Sequence, residues 1–216
     1  IAYINYMNLR KTLTSSILAG IFISLGASAS LAAPDKVIGA FLFTLGLTAI
    51  LVFKVNLFTG KCGYLITQKN KKEYLKYLAV VWIGNLLGCA CIAAVVGQTL
   101  TANTFLSNYQ DKVFTLIEHK GIGTVATGIL CGMLMYIAVD GYKRCEKDRQ
   151  LTGCVCYILS VMVFILCGFE HCIADMFYFI LAGSFHWSTL VFLICVTLGN
   201  LIGGSAVHLL VTYSEK

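Results

Sequence analysis

The chain has 216 residues, 58% of them hydrophobic and only 12% charged, with a net charge of +6 and a mean hydropathy of +0.83. Soluble domains carry roughly 25% charged residues, so this composition excludes an ordinary water-soluble fold and indicates a polytopic helical membrane protein. The positive charge is no nucleic-acid signal, because Lys and Arg gather at the edges of apolar runs.

The chain begins at Ile1 rather than Met, which suggests a trimmed start. Residues 1–9 carry Tyr3, Tyr6 and Met7 and read as the end of an interfacial helix. Six spans are predicted, at about 13–33, 37–66, 74–99, 121–142, 154–181 and 187–212. The second and fifth are too long for one clean crossing. Both hold polar interruptions, Leu57-Phe58-Thr59-Gly60 and Gly168-Phe169-Glu170-His171. Ionisable residues midway along an apolar run are costly in a bilayer and therefore mark candidate functional sites. The plain alternative for 168–175 is a surface loop between two shorter segments.

Ten cysteines are present, nine of them in or beside apolar runs where they act as small hydrophobes. No CxxC pair occurs, so neither a metal site nor a redox site is expected. No nucleotide or nucleophile motif supports an enzyme, and no cofactor is expected.

The basic residues orient the chain. With both termini inside, the cytoplasmic segments hold Arg10, Lys11, Lys69, Lys71, Lys72, Lys76, Lys143, Arg144, Lys147, Arg149 and Lys216, eleven of the sixteen Lys and Arg. The external loops keep Lys36, Lys112 and Lys120, and Lys54 and Lys61 fall within the second span. This asymmetry predicts cytoplasmic termini and an even number of spans in the plasma or inner membrane.

An internal echo accompanies it. Gly84-Asn85-Leu86-Leu87-Gly88 returns as Gly199-Asn200-Leu201-Ile202-Gly203, 115 residues later. Ala19-Gly20-Ile21 is echoed by Thr127-Gly128-Ile129, and the interruption at Leu57–Gly60 is set opposite Gly168–His171. Three spans repeated once must run in opposite orientations. The expected architecture is an all-α membrane protein of six transmembrane helices in two inverted three-helix repeats, 12–100 and 120–213, with the second and fifth spans broken.

Leu57-Phe58-Thr59-Gly60, Gly128-Ile129-Leu130-Cys131, Gly168-Phe169-Glu170-His171 and Gly199-Asn200-Leu201-Ile202-Gly203-Gly204 together resemble the formate/nitrite transporter family over nearly the whole chain. The resemblance implies an aquaporin-like fold and a homopentamer in the lipid bilayer, each protomer with its own pore for formate, nitrite, hydrosulfide or a similar small monovalent anion. It places His171 at the pore midplane, where an imidazole donates a hydrogen bond to an anion or exchanges a proton with it. Without the resemblance, a histidine bonded between helices is an equal reading. By the same pattern Thr59 faces His171 from a mobile loop, or caps a helix. Phe43, Leu47 and Phe164 fall on constriction positions, and Phe58 becomes a loop plug.

Glu170 in an anion pore would repel the permeant, so it is expected to turn away and accept bonds from freed backbone N–H groups. Asn85 and Asn200 hold loop or helix ends, with Asn200 nearer the pore and counted with the permeant-binding residues. The chain departs from the family at Lys54-Val55-Asn56, where Gly-x-acid is usual, at Gly132 and Asp175, where Asn is usual, and at Leu116, where the family has Lys. Asn56 is read as structural support. Lys54 either attracts anions toward His171, with Lys120 helping at the external vestibule, or pairs with Glu170 or Asp175. Two other functions stay open: a pore for small neutral solutes, and a non-conducting sensor plugged by Lys54–Glu170.

Overall fold

The structure, a computed structural model, describes residues 8–99, 121–145 and 147–216. The expected interfacial segment at the start, apart from its last two residues, and the expected roles of Lys112 and Lys120 lie outside the described residues.

Local chemistry sets most helix ends. Helix α1 (Leu9–Leu31) starts where Asn8 accepts the Lys11 N–H, and it stops three residues before the only proline, Pro34. Asp35 then caps α2 (Lys36–Phe53) by accepting from the N–H groups of Val37 and Ile38 at 2.8 and 3.0 Å. Helix α2 ends at Lys54, whose backbone is left-handed (φ 54°), the one non-glycine residue with positive φ among those described. Residues 55–61 follow without regular structure, then a 3₁₀ turn, Cys62–Thr67. Asn70 caps α3 (Lys71–Val96).

Helix α4 (Ile122–Arg144) closes with Lys143 and Arg144, cations suited to a helix C-terminus. Helix α5 (Gln150–Cys167) is stopped by Gly168 in the left-handed region, φ 70°. His171 caps the short α6 (Cys172–Leu181), and α7 (Trp187–Ser214) completes the chain. The described structure is therefore helical, with six helices long and apolar enough to cross a membrane. The predicted fifth span falls on α5 and α6. The predicted second span is helical only to Phe53.

Helix α1 packs on α2 and α3, and α4 packs on α5 and α7. Helices α2 and α5 meet each other, α6 lies against α3, and the 3₁₀ turn lies against α7. One interior cluster runs through Ile23, Phe43, Leu47, Phe164, Ile173 and Phe177, all essentially buried. The outside is apolar as well: Leu45, Val52, Val95, Leu159 and Leu198 are more than half exposed. In water such a coat would drive association, whereas hydrocarbon accepts it.

Candidate functional site

Two places where regular structure stops inside the bundle are held by two asparagines in the same way. Asn85 Nδ2 donates to the carbonyls of Ser16 (2.7 Å) and Asn56 (2.9 Å), while its Oδ1 accepts the Phe58 N–H at 2.9 Å. Asn200 Nδ2 donates to the carbonyls of Gly128 (2.8 Å) and Glu170 (2.9 Å), while its Oδ1 accepts the Cys172 N–H at 3.0 Å. Each amide thus satisfies one carbonyl and, two residues on, one N–H that the helix end has set free. Both asparagines are fully buried, and each directs both N–H donors and its oxygen at backbone.

This geometry corrects the pairing of the two interruptions. Asn56–Phe58 corresponds to Glu170–Cys172, and the left-handed caps Lys54 and Gly168 correspond to each other, a shift of three residues from the expected alignment. Two residues before each stapled segment stands a left-handed cap, a lysine in one and a glycine in the other.

His171 is the middle residue of the second stapled segment, 1% exposed. Its Nδ1 accepts the Ala174 N–H at 3.2 Å, which requires the ring proton to lie on Nε2. Nε2 is 2.8 Å from Thr59 Oγ1, so the imidazole donates and the threonine accepts. Thr59 keeps its own hydroxyl proton, for which no acceptor occurs among the described residues. Phe164 stacks on the imidazole (centroids 5.7 Å apart, 24° between planes) and meets Phe43 edge-on at 5.7 Å.

Cavities open on either side of this dyad. One, of about 490 Å³, is lined by Asp35, Lys36, Phe43, Phe164, Glu170 and His171 among others. The other two lie toward the end of the bundle where α1 begins and α7 finishes, here the terminal face. A volume of about 230 Å³ there is lined by Leu51, Lys54, Leu57, Lys61, Val139 and Lys143 among others, beside a larger one of about 560 Å³ that shares Lys54 and Lys61. Phe43, Leu47 and Leu51 recur every four residues on one face of α2 and run from the first cavity to the second, a rise of about 12 Å. Leu47 is 1% exposed.

Several expected placements change. Lys54 is exposed on the terminal face rather than deep in a span, and it enters none of the ion pairs among the described residues. Glu170 lines the cavity on the opposite side of His171, so the Lys54–Glu170 plug does not form. Two of the freed N–H groups go elsewhere than Glu170, that of Cys172 to Asn200 and that of Ala174 to His171. Asn200 lines none of the three cavities and acts as a backbone staple rather than a permeant ligand. Phe58 is buried away from them too, and its neighbour Leu57 lines the terminal-face cavity. Asn56 donates its N–H to Ser15 Oγ at 3.1 Å and accepts from the Tyr77 hydroxyl at 3.1 Å, a supporting role.

One cluster carried no sequence signal. Asp140 accepts from the hydroxyls of Tyr64 (2.6 Å) and Tyr136 (3.0 Å) and pairs with Arg144, which also bonds Glu215. His208 meets Tyr136 through Nδ1 (2.9 Å) and Thr67 through Nε2 (2.7 Å). The 3₁₀ turn just beyond Thr59 is thereby tied to α4 and α7. Tyr136, Asp140 and Arg144 follow one another at four-residue spacing on α4, but Tyr64, Thr67, His208 and Glu215 join them from far off in sequence, where no spacing rule reaches.

Residues 3–214 match the sequence profile described as Formate/nitrite transporter. The formate channel FocA of Haemophilus influenzae is 29% identical, with 87% of this chain and 78% of that protein covered. A probable formate transporter of Methanothermobacter thermautotrophicus is 28% identical over 91% of this chain and 85% of its own. Among solved structures, a pentameric formate channel with formate bound superposes with a TM-score of 0.80 at 24% identity, covering 96% of this chain and 97% of that one. With six apolar spans and a profile match across almost its whole length, this multi-pass membrane chain belongs to the formate/nitrite transporter family.

Proposed function

We propose that the chain is a channel or facilitated transporter for small monovalent anions or their conjugate acids, formate first and nitrite or hydrosulfide next. The observation that carries this reading is the Thr59–His171 hydrogen bond between two cavities. Because the Ala174 N–H occupies Nδ1, the imidazole offers no acceptor; its Nε2–H goes to Thr59 Oγ1 at rest while the Thr59 hydroxyl proton is free, so a permeant that replaces this bond meets two donors. Two donors set against the single threonine oxygen suit an anion better than water or ammonia, which need acceptors as well. The Nδ1 contact also favours hydrogen-bond donation over proton exchange. A proton given up at Nε2 would have to be regained at a ring already capping α6.

Phe43, Phe164 and Leu47 act as apolar constrictions around the dyad, and they strip water from the permeant. Stripping a full charge is expensive, and the two donors offset part of that cost. Lys54 lies at the terminal-face mouth, where its charge raises the local anion concentration. Lys120, four residues from the Leu116 position where the family has Lys, is proposed to help at the external vestibule. The matching Asn85 and Asn200 staples support two inverted repeats, 12–100 and 120–213, with broken second and fifth spans in an aquaporin-like fold. The solved relative's pentamer supports a homopentamer. The clustering of basic residues supports cytoplasmic termini in the plasma or inner membrane.

Flux of formate, nitrite and hydrosulfide into proteoliposomes, read at two pH values for the wild type and His171→Asn, tests the proposal. Asparagine still caps a helix, so the variant is expected to fold and to lose most anion flux. Transport of uncharged solutes alone would overturn the reading.

A further inference from the structure

The terminal-face cavity of about 560 Å³ is built from unspent donors. Lys11, Lys54 and Lys61 line it, and no acidic side chain does among the described residues. Two carboxamides on its wall have their oxygens committed to the protein: Asn8 Oδ1 accepts the Lys11 N–H and Asn56 Oδ1 accepts the Tyr77 hydroxyl, each at 3.1 Å. Neither NH₂ group meets an acceptor among the described residues, so both are counted as donors. Ser15 Oγ already accepts the Asn56 N–H, which leaves its own proton to give. Lys143 adds a fourth cation through the adjoining cavity, which shares Lys54 and Lys61. The nearby carboxylate, Asp140, lines neither cavity; it is bonded to Tyr64, Tyr136 and Arg144, and its charge reaches Lys143.

A second, independent observation is the backbone of Lys54. A left-handed conformation disfavours any side chain, and the corresponding position in the other half is Gly168. A lysine is thus kept at a strained position that faces this cavity, as happens where strain serves a site.

We infer that this vestibule binds a small, multiply charged oxyanion, a phosphate or dicarboxylate dianion, held by Lys54 and Lys61 with the Asn56 amide as a neutral donor. One permeant monoanion would neutralise a single cation there, whereas several converge. The dyad beyond has two donors in an apolar collar and does not admit a dianion, so the bound species occludes the mouth. Binding stands on the cavity alone; occlusion rests on the proposed anion pathway.

The test titrates purified full-length protein with inorganic phosphate and, separately, succinate, at mildly alkaline pH and constant ionic strength set by chloride, following thermal unfolding. Either dianion is expected to raise the midpoint saturably, and phosphate alone or succinate alone identifies which source of the chemistry fits. Losing one charge-assisted contact in Lys54→Gly or Lys61→Gln should weaken binding about tenfold. Glycine keeps the left-handed backbone, so the first variant folds. An equal response to formate, no response to either dianion, or unchanged binding in both variants overturns the site. In proteoliposomes, phosphate should slow formate flux in the wild type but not in either variant relative to its own phosphate-free rate. Binding without slowing overturns occlusion. A wild type with no formate flux at all overturns the proposed pathway instead, and leaves the thermal titration to decide the site.

Discussion

Asn200 makes three buried hydrogen bonds with one amide, and the two carbonyls it serves, on Gly128 and Glu170, would otherwise lie in a medium with no water to accept them. Asn200→Ala should destabilise the protein by about 3 kcal/mol or more, because each orphaned buried group costs about 1–3 kcal/mol. Asn200→Asp should be worse than its near-identical shape suggests, since it aims an acceptor at two acceptors. Denaturant unfolding in detergent, compared across the two variants, checks both statements. Lys54→Gly should move the other way, raising stability by about 1 kcal/mol through release of the left-handed strain. The repeated Gly-Asn-Leu-x-Gly pattern was enough to single out both asparagines. It could not say what they hold, because a backbone carbonyl has no sequence signature. Lys54 was misplaced for a related reason: hydropathy runs on through Val52, Phe53 and Val55, and nothing in the letters marks a reversal of φ.

At the scale of elements, the crossing of α4 and α7 is set by backbone contact. A Cβ on Gly132 would fall inside the Asn200 carbonyl and 2.7 Å from its Cα, and one on Gly203 would run into the Ile129 carbonyl. Gly132, one of the departures from the family pattern, thus sits where the helix contact leaves no room for a side chain. Gly132→Ala should cost about 1–3 kcal/mol by overpacking and should lower the yield of folded protein. The 3₁₀ turn Cys62–Thr67 is the element the sequence concealed most thoroughly. Its apolar letters read as the end of a helix, while the contacts that define it, Tyr64 to Asp140 and Thr67 to His208, come from α4 and α7. His208→Leu removes a partner from both Thr67 and Tyr136. Amide exchange over residues 63–67 should then accelerate by about tenfold or more, since losing even one net hydrogen bond of about 1.5 kcal/mol changes a local opening equilibrium that much.

Across the whole molecule, the six spans and their order were legible because long apolar runs leave a chain little choice in a bilayer. The cavities were not, since they arise from helices that meet only in space. What composition does dictate at this scale is a difference between the two ends. Lys11, Lys54, Lys61, Lys143 and Arg144 gather on the terminal face, whereas Asp35, Glu170 and Asp175 line the cavity at the other. Positive charge is retained on the cytoplasmic side during insertion, so the terminal face should lie inside the cell. Native cysteines report on this directly. Cys167 is exposed at the last turn of α5, beside the Leu166 carbonyl that Lys36 grips at 2.9 Å on the far side, while Cys145 follows the last turn of α4 on the terminal face. A membrane-impermeant maleimide added to intact cells should label Cys167, with the signal lost in Cys167→Ser. Cys145 should react only after the membrane is opened. The reverse order of labelling would turn the molecule over, and would place the lysine-lined vestibule outside, where it would sample the medium rather than the metabolites of the cell.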